Sequence, residues 1–165
     1  PYTTLFRSRQ GYRRIGVILG DDSSTASNER LKGYKDILTE NNIEISNDIL
    51  LSSSANFEDG FKLAEILINK KVDAIFTIND SVAMGVMKYA HMNNILIPKD
   101  IGIAGYDDIE QAAMLTVPLT TVHQRKFELG QIVAKVLIAE INNHQIAKQT
   151  IILQPELIIR KSCNE

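Results

Sequence analysis

The chain has 165 residues, 44% of them hydrophobic and 23% charged, with a formal net charge of −2. That is enough apolar material for one globular domain, and it lacks the basic footprint that phosphate contacts demand of a nucleic-acid-binding domain. The apolar runs are too short to span a membrane, and a lone cysteine, Cys163, excludes an internal disulfide and fits a reducing cytoplasm.

The N-terminus opens on PYTTLFRS, the octapeptide that a widely used sequencing adapter encodes when translated in frame. Residues 1–8 are therefore expected to be an assembly remnant, with the fold beginning at Arg9. No basic segment followed by a long apolar one is present, so no secretory signal is expected.

From Arg9 the pattern alternates. Ile15–Leu19 (IGVIL) predicts a buried strand that enters a polar loop at Gly20, Asp21 and Asp22. Residues 28–41 set Leu31, Tyr34, Ile37 and Leu38 on one side of a helix. Residues 48–52 (DILLS) predict the second strand, and Phe57, Phe61, Ala64 and Ile68 recur along a second helix. Residues 74–78 (AIFTI) predict a third strand, 81–93 a third helix, and 101–104 a fourth strand. Strands alternating with helices of this length imply an α/β fold: a parallel sheet with crossover helices on both faces.

After Asp108 the rhythm changes. Residues 109–115 predict a short helix stopped at Val117-Pro118, 119–122 a brief extended piece, and 126–142 a long amphipathic helix. Two short strands, 150–153 and 156–160, split by Pro155, close the chain.

Open parallel sheets bind ligands beyond the carboxyl ends of their strands. Behind the four predicted strands stand Asp21, Asp22, Ser23, Ser24 and Arg30; Ser52 to Asn56; Asn79 and Asp80; and Asp107 with Asp108. Hydroxyls, amides, carboxylates and one guanidinium suit a small molecule with several hydroxyl or ring N–H groups. Each residue also has a purely structural reading, since Asp, Asn and Ser favour turns and helix starts. Asp108 with Gln111 forms a possible capping box, and Asp80 a possible cap of its own helix. Arg30 falls in the first turn of the predicted helix, where the dipole slightly disfavours a cation, but a surface pair with Glu29 or Asp36 would explain it equally well. His91 and His144 read as solvated helix-side residues, and no histidine–carboxylate spacing suits a metal.

Enzyme signatures are mostly missing. There is no phosphate loop, no G-x-G-x-x-G opening a helix, no G-x-S-x-G elbow, and no base near Cys163. Asp21, Asp22 and Asp80 are similar to the acidic cluster of a phospho-accepting receiver domain. The lysine expected after the last sheet strand is absent, however, and the C-terminal third would go unused.

The blocks GYRRIGVI, ERLKGY, IFTINDSVAMG, ILIPKDIGIAGYDDIE and PLTTVHQ, in this order and spacing, closely resemble the effector-sensing region of lac repressor (gal repressor) family transcription regulators. The likeness covers residues 10–162. Those regulators resemble periplasmic sugar-binding proteins: two α/β lobes joined by three crossover strands, effector in the cleft, and a DNA-reading helix-turn-helix ahead of the lobes. The resemblance implies a C-terminal lobe at residues 9–122 and 156–165. It implies that 123–155 are a crossover, helix and strand belonging to the N-terminal lobe.

By the same resemblance the effector contacts fall on Arg30, Asn79, Asp107 and Gln124, with Ser24 and Asn56 beside them. Asp107 would grip ligand while Asp108 starts the next helix. Many members place an aromatic ring after the second strand, where this chain has Ala55. The family also implies a homodimer through the C-terminal lobe, with Met84, Met87, Met114 and Leu115 as apolar anchors, for which core packing is the alternative. The implied protein is a cytoplasmic transcription regulator, most simply a repressor, that binds a sugar-like or purine-like effector. It would touch DNA only through a helix-turn-helix absent from this chain, needs no cofactor or metal, and has no membrane partner. A solute-binding protein of a sugar transporter is the rival of the same fold.

Overall fold

The computed structural model describes residues 11–21, 23–142 and 150–163. The expected adapter remnant, Asp22 and His144 lie outside the described residues.

Four strands form one parallel sheet: β1 (Ile15–Leu19), β2 (Leu50–Ser52), β3 (Ala74–Thr77) and β4 (Gly102–Ala104), in spatial order β2-β1-β3-β4. The registers Val17↔Leu50, Ile15↔Ala74 and Ala74↔Gly102 align their carboxyl ends along one edge. Every residue of β1, β3 and β4 is buried, as expected of parallel strands covered on both faces.

Because side chains alternate across a strand, the sheet feeds two cores. Ile15, Val17, Leu19, Ala74 and Phe76 pack against Tyr34 and Leu38 of helix α1 (Thr25–Glu40). Ile18, Ile75 and Ile103 pack on the other face against α2 (Phe57–Asn69) and α3 (Asp80–Met92). Leu67, wholly buried there, contributes about 1.5–3 kcal/mol by removal from water. Helices α2 and α3 touch backbone to backbone. A Cβ added at Gly60 would lie 2.2 Å from the Val82 carbonyl oxygen, and one at Gly85 would lie 2.1 Å from that of Phe57.

Past β4 comes a short helix, α4 (Glu110–Met114), followed by β5 (Thr121–His123). β5 pairs antiparallel with β6 (Glu156–Ile158), with Val122 opposite Leu157. The returning chain is tied to the sheet edge by Ser162, whose hydroxyl donates to the Ile103 carbonyl at 2.6 Å and accepts from the Thr120 amide at 2.8 Å. Between β5 and β6 stands α5 (Lys126–Asn142), none of whose residues is buried. Its Phe127, Val133, Leu137 and Ile141 face water.

Two expectations about elements need correcting. α1 begins at Thr25, capped by Ser24, rather than at Asn28, because its first turn is polar and gives no apolar period to read. Arg30 therefore sits in the second turn, and the dipole argument against it falls. Residues 150–153 form no strand, since they pair with no strand among the described residues and Ile152 stays 75% exposed. An apolar run becomes a strand only where an edge completes its ladder.

Candidate functional site

The amino ends of α1, α2 and α3 all open onto the carboxyl edge of the sheet, and a candidate ligand residue caps each. The Ser24 hydroxyl accepts from the Ser27 amide at 3.4 Å, the Asn56 carboxamide from the Asp59 amide at 2.8 Å, and the Asn79 carboxamide from the Val82 amide at 2.9 Å. The Asn79 NH2 also donates to the Ala55 carbonyl at 2.9 Å, tying the end of β3 to the end of β2. A cap of this kind is worth about 1 kcal/mol, so these three side chains have a structural task whatever else they do.

Ala55 occupies the left-handed region at φ 58°. The turn around it is closed by the Ser53 hydroxyl, which donates to the Leu19 carbonyl at 2.6 Å and accepts from the Ala55 amide at 3.1 Å. Above this edge lies a hollow of about 720 Å³, lined by Gly20, Ser24, Arg30, Ser53, Ala55, Lys62 and Ile78 among others.

Arg30 joins two strand ends. Its Nη1 donates to the Ile78 carbonyl at 2.7 Å, and its guanidinium lies 3.6 Å above the Tyr106 ring. Ile78 and Tyr106 immediately precede Asn79 and Asp107, so the side chain touches the residue before each of these two candidates. Asp107 and Gln124 meet directly, with the Gln124 NH2 donating to the Asp107 carboxylate. Both line a second hollow of about 360 Å³ together with His123 and Lys126. Thus the six candidates divide: Ser24 and Arg30 line the larger hollow, Asp107 and Gln124 the smaller, and Asn56 and Asn79 neither.

The turn after β4 carries two non-glycine residues at positive φ, Asp107 at 110° and Asp108 at 49°, a costly conformation held by its surroundings. The Asp107 amide donates to the Val122 carbonyl at 2.9 Å. Asp108 does not cap α4. The residue before that helix is Ile109, and its amide donates to the Asp80 carboxylate at 2.9 Å. Asp108 instead accepts from Arg160 Nη2 at 2.7 Å and meets His123 Nδ1 at 2.9 Å.

Nor does Asp80 cap α3, where Asn79 already does. Asp80 turns inward, fully buried, and accepts from the Thr121 hydroxyl at 2.6 Å. Gly105 makes room for it, since a Cβ there would lie 2.1 Å from Asp80 Oδ1. Burial pushes the Asp80 carboxyl up, and the Asp107 and Asp108 charges add to that, against the bonds from Thr121 and Ile109. A carboxylate with no access to solvent is unsuited to accept a phosphoryl group.

The methionine anchors also separate. Met87 is buried in the core, as the packing alternative has it. Met84, Met87 and Leu115 line an apolar hollow of about 430 Å³ with Phe57, Ile97 and Val117, while Met114 stands apart, 71% exposed.

The sequence matches the periplasmic binding protein-like domain over residues 7–163. The chain belongs to that family. Within it, the domain is 34% identical over 154 residues to the ribose operon repressor of Haemophilus influenzae, covering 92% of this chain and 46% of that protein. It is 30% identical over 154 residues to the HTH-type transcriptional repressor PurR of Vibrio campbellii, covering 92% and 46%. A solved regulatory protein of LacI family from Chloroflexus aggregans superposes with a TM-score of 0.92 at 30% identity, over 98% of this chain and 59% of that one. The chain spans about half the length of the curated relatives it matches. These relatives are repressors, and the lac repressor resemblance read from the sequence blocks holds.

Sequence reasoning missed Tyr106, the platform under Arg30. An aromatic directly between a strand end and an acidic pair was the available signal. It also missed Arg160 as the partner of Asp108, for which a separation of 52 residues leaves no local signal.

Proposed function

We propose that this periplasmic binding protein-like domain is the effector-sensing part of a DNA-binding transcription regulator, a repressor. Its ligand would be a small, neutral, polyhydroxylated or heterocyclic molecule, sugar-like or purine-like. The observation that carries this reading is the edge where Arg30 spans Ile78 and Tyr106 beside the Asp107–Gln124 pair. Around the larger hollow Arg30 and Lys62 are balanced by Asp21 and Asp59, among serine hydroxyls. A balanced, hydroxyl-rich wall favours an uncharged ligand with many donors and acceptors over an anion.

In this reading Arg30, Asp107 and Gln124 bind ligand with Ser24 beside them, while Asn56 and Asn79, which line neither hollow, support the edge as capping residues. Residues 9–122 and 156–165 form one lobe, and 123–155 belong to a second. Ligand bridging both lobes favours the closed form, and closure repositions paired DNA-reading heads. The coupling is bounded by the difference in ligand affinity between the open and closed forms. Two copies associate through the apolar hollow at Met84, Met87 and Leu115, with the exposed Met114 as a separate apolar contact. The protein works in the cytoplasm, carries out no turnover and needs no cofactor. DNA is contacted through a helix-turn-helix outside this chain.

Titration calorimetry of the full-length regulator with D-ribose, other neutral sugars and purine bases tests the proposal. Saturable binding by a member of the panel, weakened about fivefold or more in Arg30→Ala and Asp107→Ala, is expected. A protein that binds none of them, or binds equally well in both variants, would overturn it.

A further inference from the structure

The chain leaves the α/β body for α5 through β5 and comes back through β6, and one carboxylate holds both passes. Asp108 Oδ2 lies 2.9 Å from His123 Nδ1 on β5, and Asp108 Oδ1 accepts from Arg160 Nη2 at 2.7 Å just beyond β6. The Arg160 bond is mostly sheltered, the Asp108 side chain being 16% exposed and that of Arg160 19%, whereas His123 is 42% exposed. Arg160 is itself fixed, its Nη1 donating to the Leu119 carbonyl at 2.9 Å and its amide to the Thr120 hydroxyl at 2.9 Å.

We propose that Asp108 is a positioning residue, a pin that clamps both connecting strands to the body and so sets where Gln124 stands against Asp107. Three observations bear on this besides the bonds. The carboxylate sits in a turn whose positive φ angles at Asp107 and Asp108 cost energy that its partners offset. β5 and β6 meet through a ladder of three residue pairs, too short to be rigid on its own. α5 buries no residue against the body, so no helix packing shares the load among the described residues. The pin is adjacent in sequence to Asp107, so movement of the strands and occupation of the Asp107–Gln124 hollow act on one turn. The consequence for effector response rests on the proposed function, whereas the clamp itself does not.

Hydrogen exchange read by mass spectrometry on the full chain, without any ligand, tests the clamp. Asp108→Asn keeps the shape and removes the charge. With a charge-assisted hydrogen bond lost, exchange in β5 and β6 should rise about tenfold or more while β1 and β3 stay within about twofold. His123→Gln should raise exchange in β5 and β6 of the native chain but add less than about twofold on top of Asp108→Asn, since the two act through one carboxylate. The clamp is refuted by unchanged exchange in β5 and β6, by uniform acceleration across the sheet, or by an undiminished His123→Gln effect in the Asp108→Asn background. Because no effector enters the measurement, its failure is distinct from failure of the calorimetric panel.

Discussion

The guanidinium of Arg30 lies 3.6 Å over the Tyr106 ring while its Nη1 donates at 2.7 Å to the Ile78 carbonyl. A flat, delocalised cation can stack and donate in plane at once, whereas a lysine ammonium cannot do both. Tyr106→Leu should therefore cost about 0.5–2 kcal/mol through the lost cation–π contact. Arg30→Lys should cost at least as much, with the Ile78 bond impaired as well. In a domain of this size each kcal/mol corresponds to about 2–4 °C of melting temperature, which thermal circular dichroism resolves. Unchanged melting in both variants would make the contact energetically idle.

Asp107 and Gln124 are hydrogen-bonded to each other, so a ligand that engages either competes with that bond. Asp107→Ala in the full-length regulator should weaken effector binding by about 1–3 kcal/mol, roughly five- to 150-fold. Gln124→Ala should cost less on the Asp107→Ala background than alone, because neighbours sharing a bond are not additive. Calorimetry on the two single variants and the double gives the coupling, and strict additivity would separate the pair functionally.

What the sequence made legible follows from locality. The near-continuous apolar runs of β1 and β3 and the helical spacing of Tyr34 and Leu38 are written within a few residues, and both were read correctly. Asp107 was also legible, as a charge at the tip of a buried strand. Asp108 and Asp80 were misread for one reason: Asp-x-x-Gln and Asp before a helix look like caps locally. Among the described residues no side chain caps α4; Asp80 instead accepts from the Ile109 amide 29 residues on, and Asp108 answers to Arg160, 52 residues on. No periodicity encodes contacts of that span. They arise only once the strand order β2-β1-β3-β4 has brought the edges together.

Asp80 yields a pH dependence with a definite sign. Burial raises its carboxyl above the ordinary 3.8. Above pH 3.8 the unfolded chain has released a proton that the folded chain still holds. Stability from this group is thus fully present in acid and lost as pH rises through the folded value. Asp80→Asn removes the ionisation, so the difference in unfolding free energy should shift in favour of the variant as pH rises from about 4 toward neutrality. Urea unfolding at several pH values measures it. A difference that stays constant with pH would mean that Asp80 titrates as an ordinary carboxyl.

The contact between α2 and α3 predicts opposite outcomes for one substitution at two glycines. In α3, a Cβ at Gly85 would fall 2.1 Å from the Phe57 carbonyl oxygen and 2.7 Å from the Phe61 amide nitrogen, both backbone atoms that cannot rotate away. Gly85→Ala must push the helices apart, opening the face that Leu67 and Val86 fill. Overpacking of this sort costs about 1–3 kcal/mol, which outweighs the roughly 1 kcal/mol by which alanine favours a helix over glycine. On α5, Gly130 has nothing within 4 Å of the added methyl group. There the helix preference acts alone, and Gly130→Ala should raise helix content and stability by about 0.5–1 kcal/mol. Circular dichroism melts of the two variants, run side by side, should move in opposite directions. Stabilisation of both would mean that α2 and α3 do not approach at their backbones, and with that the packing that sets the Asn79 end of β3 would have to be drawn differently.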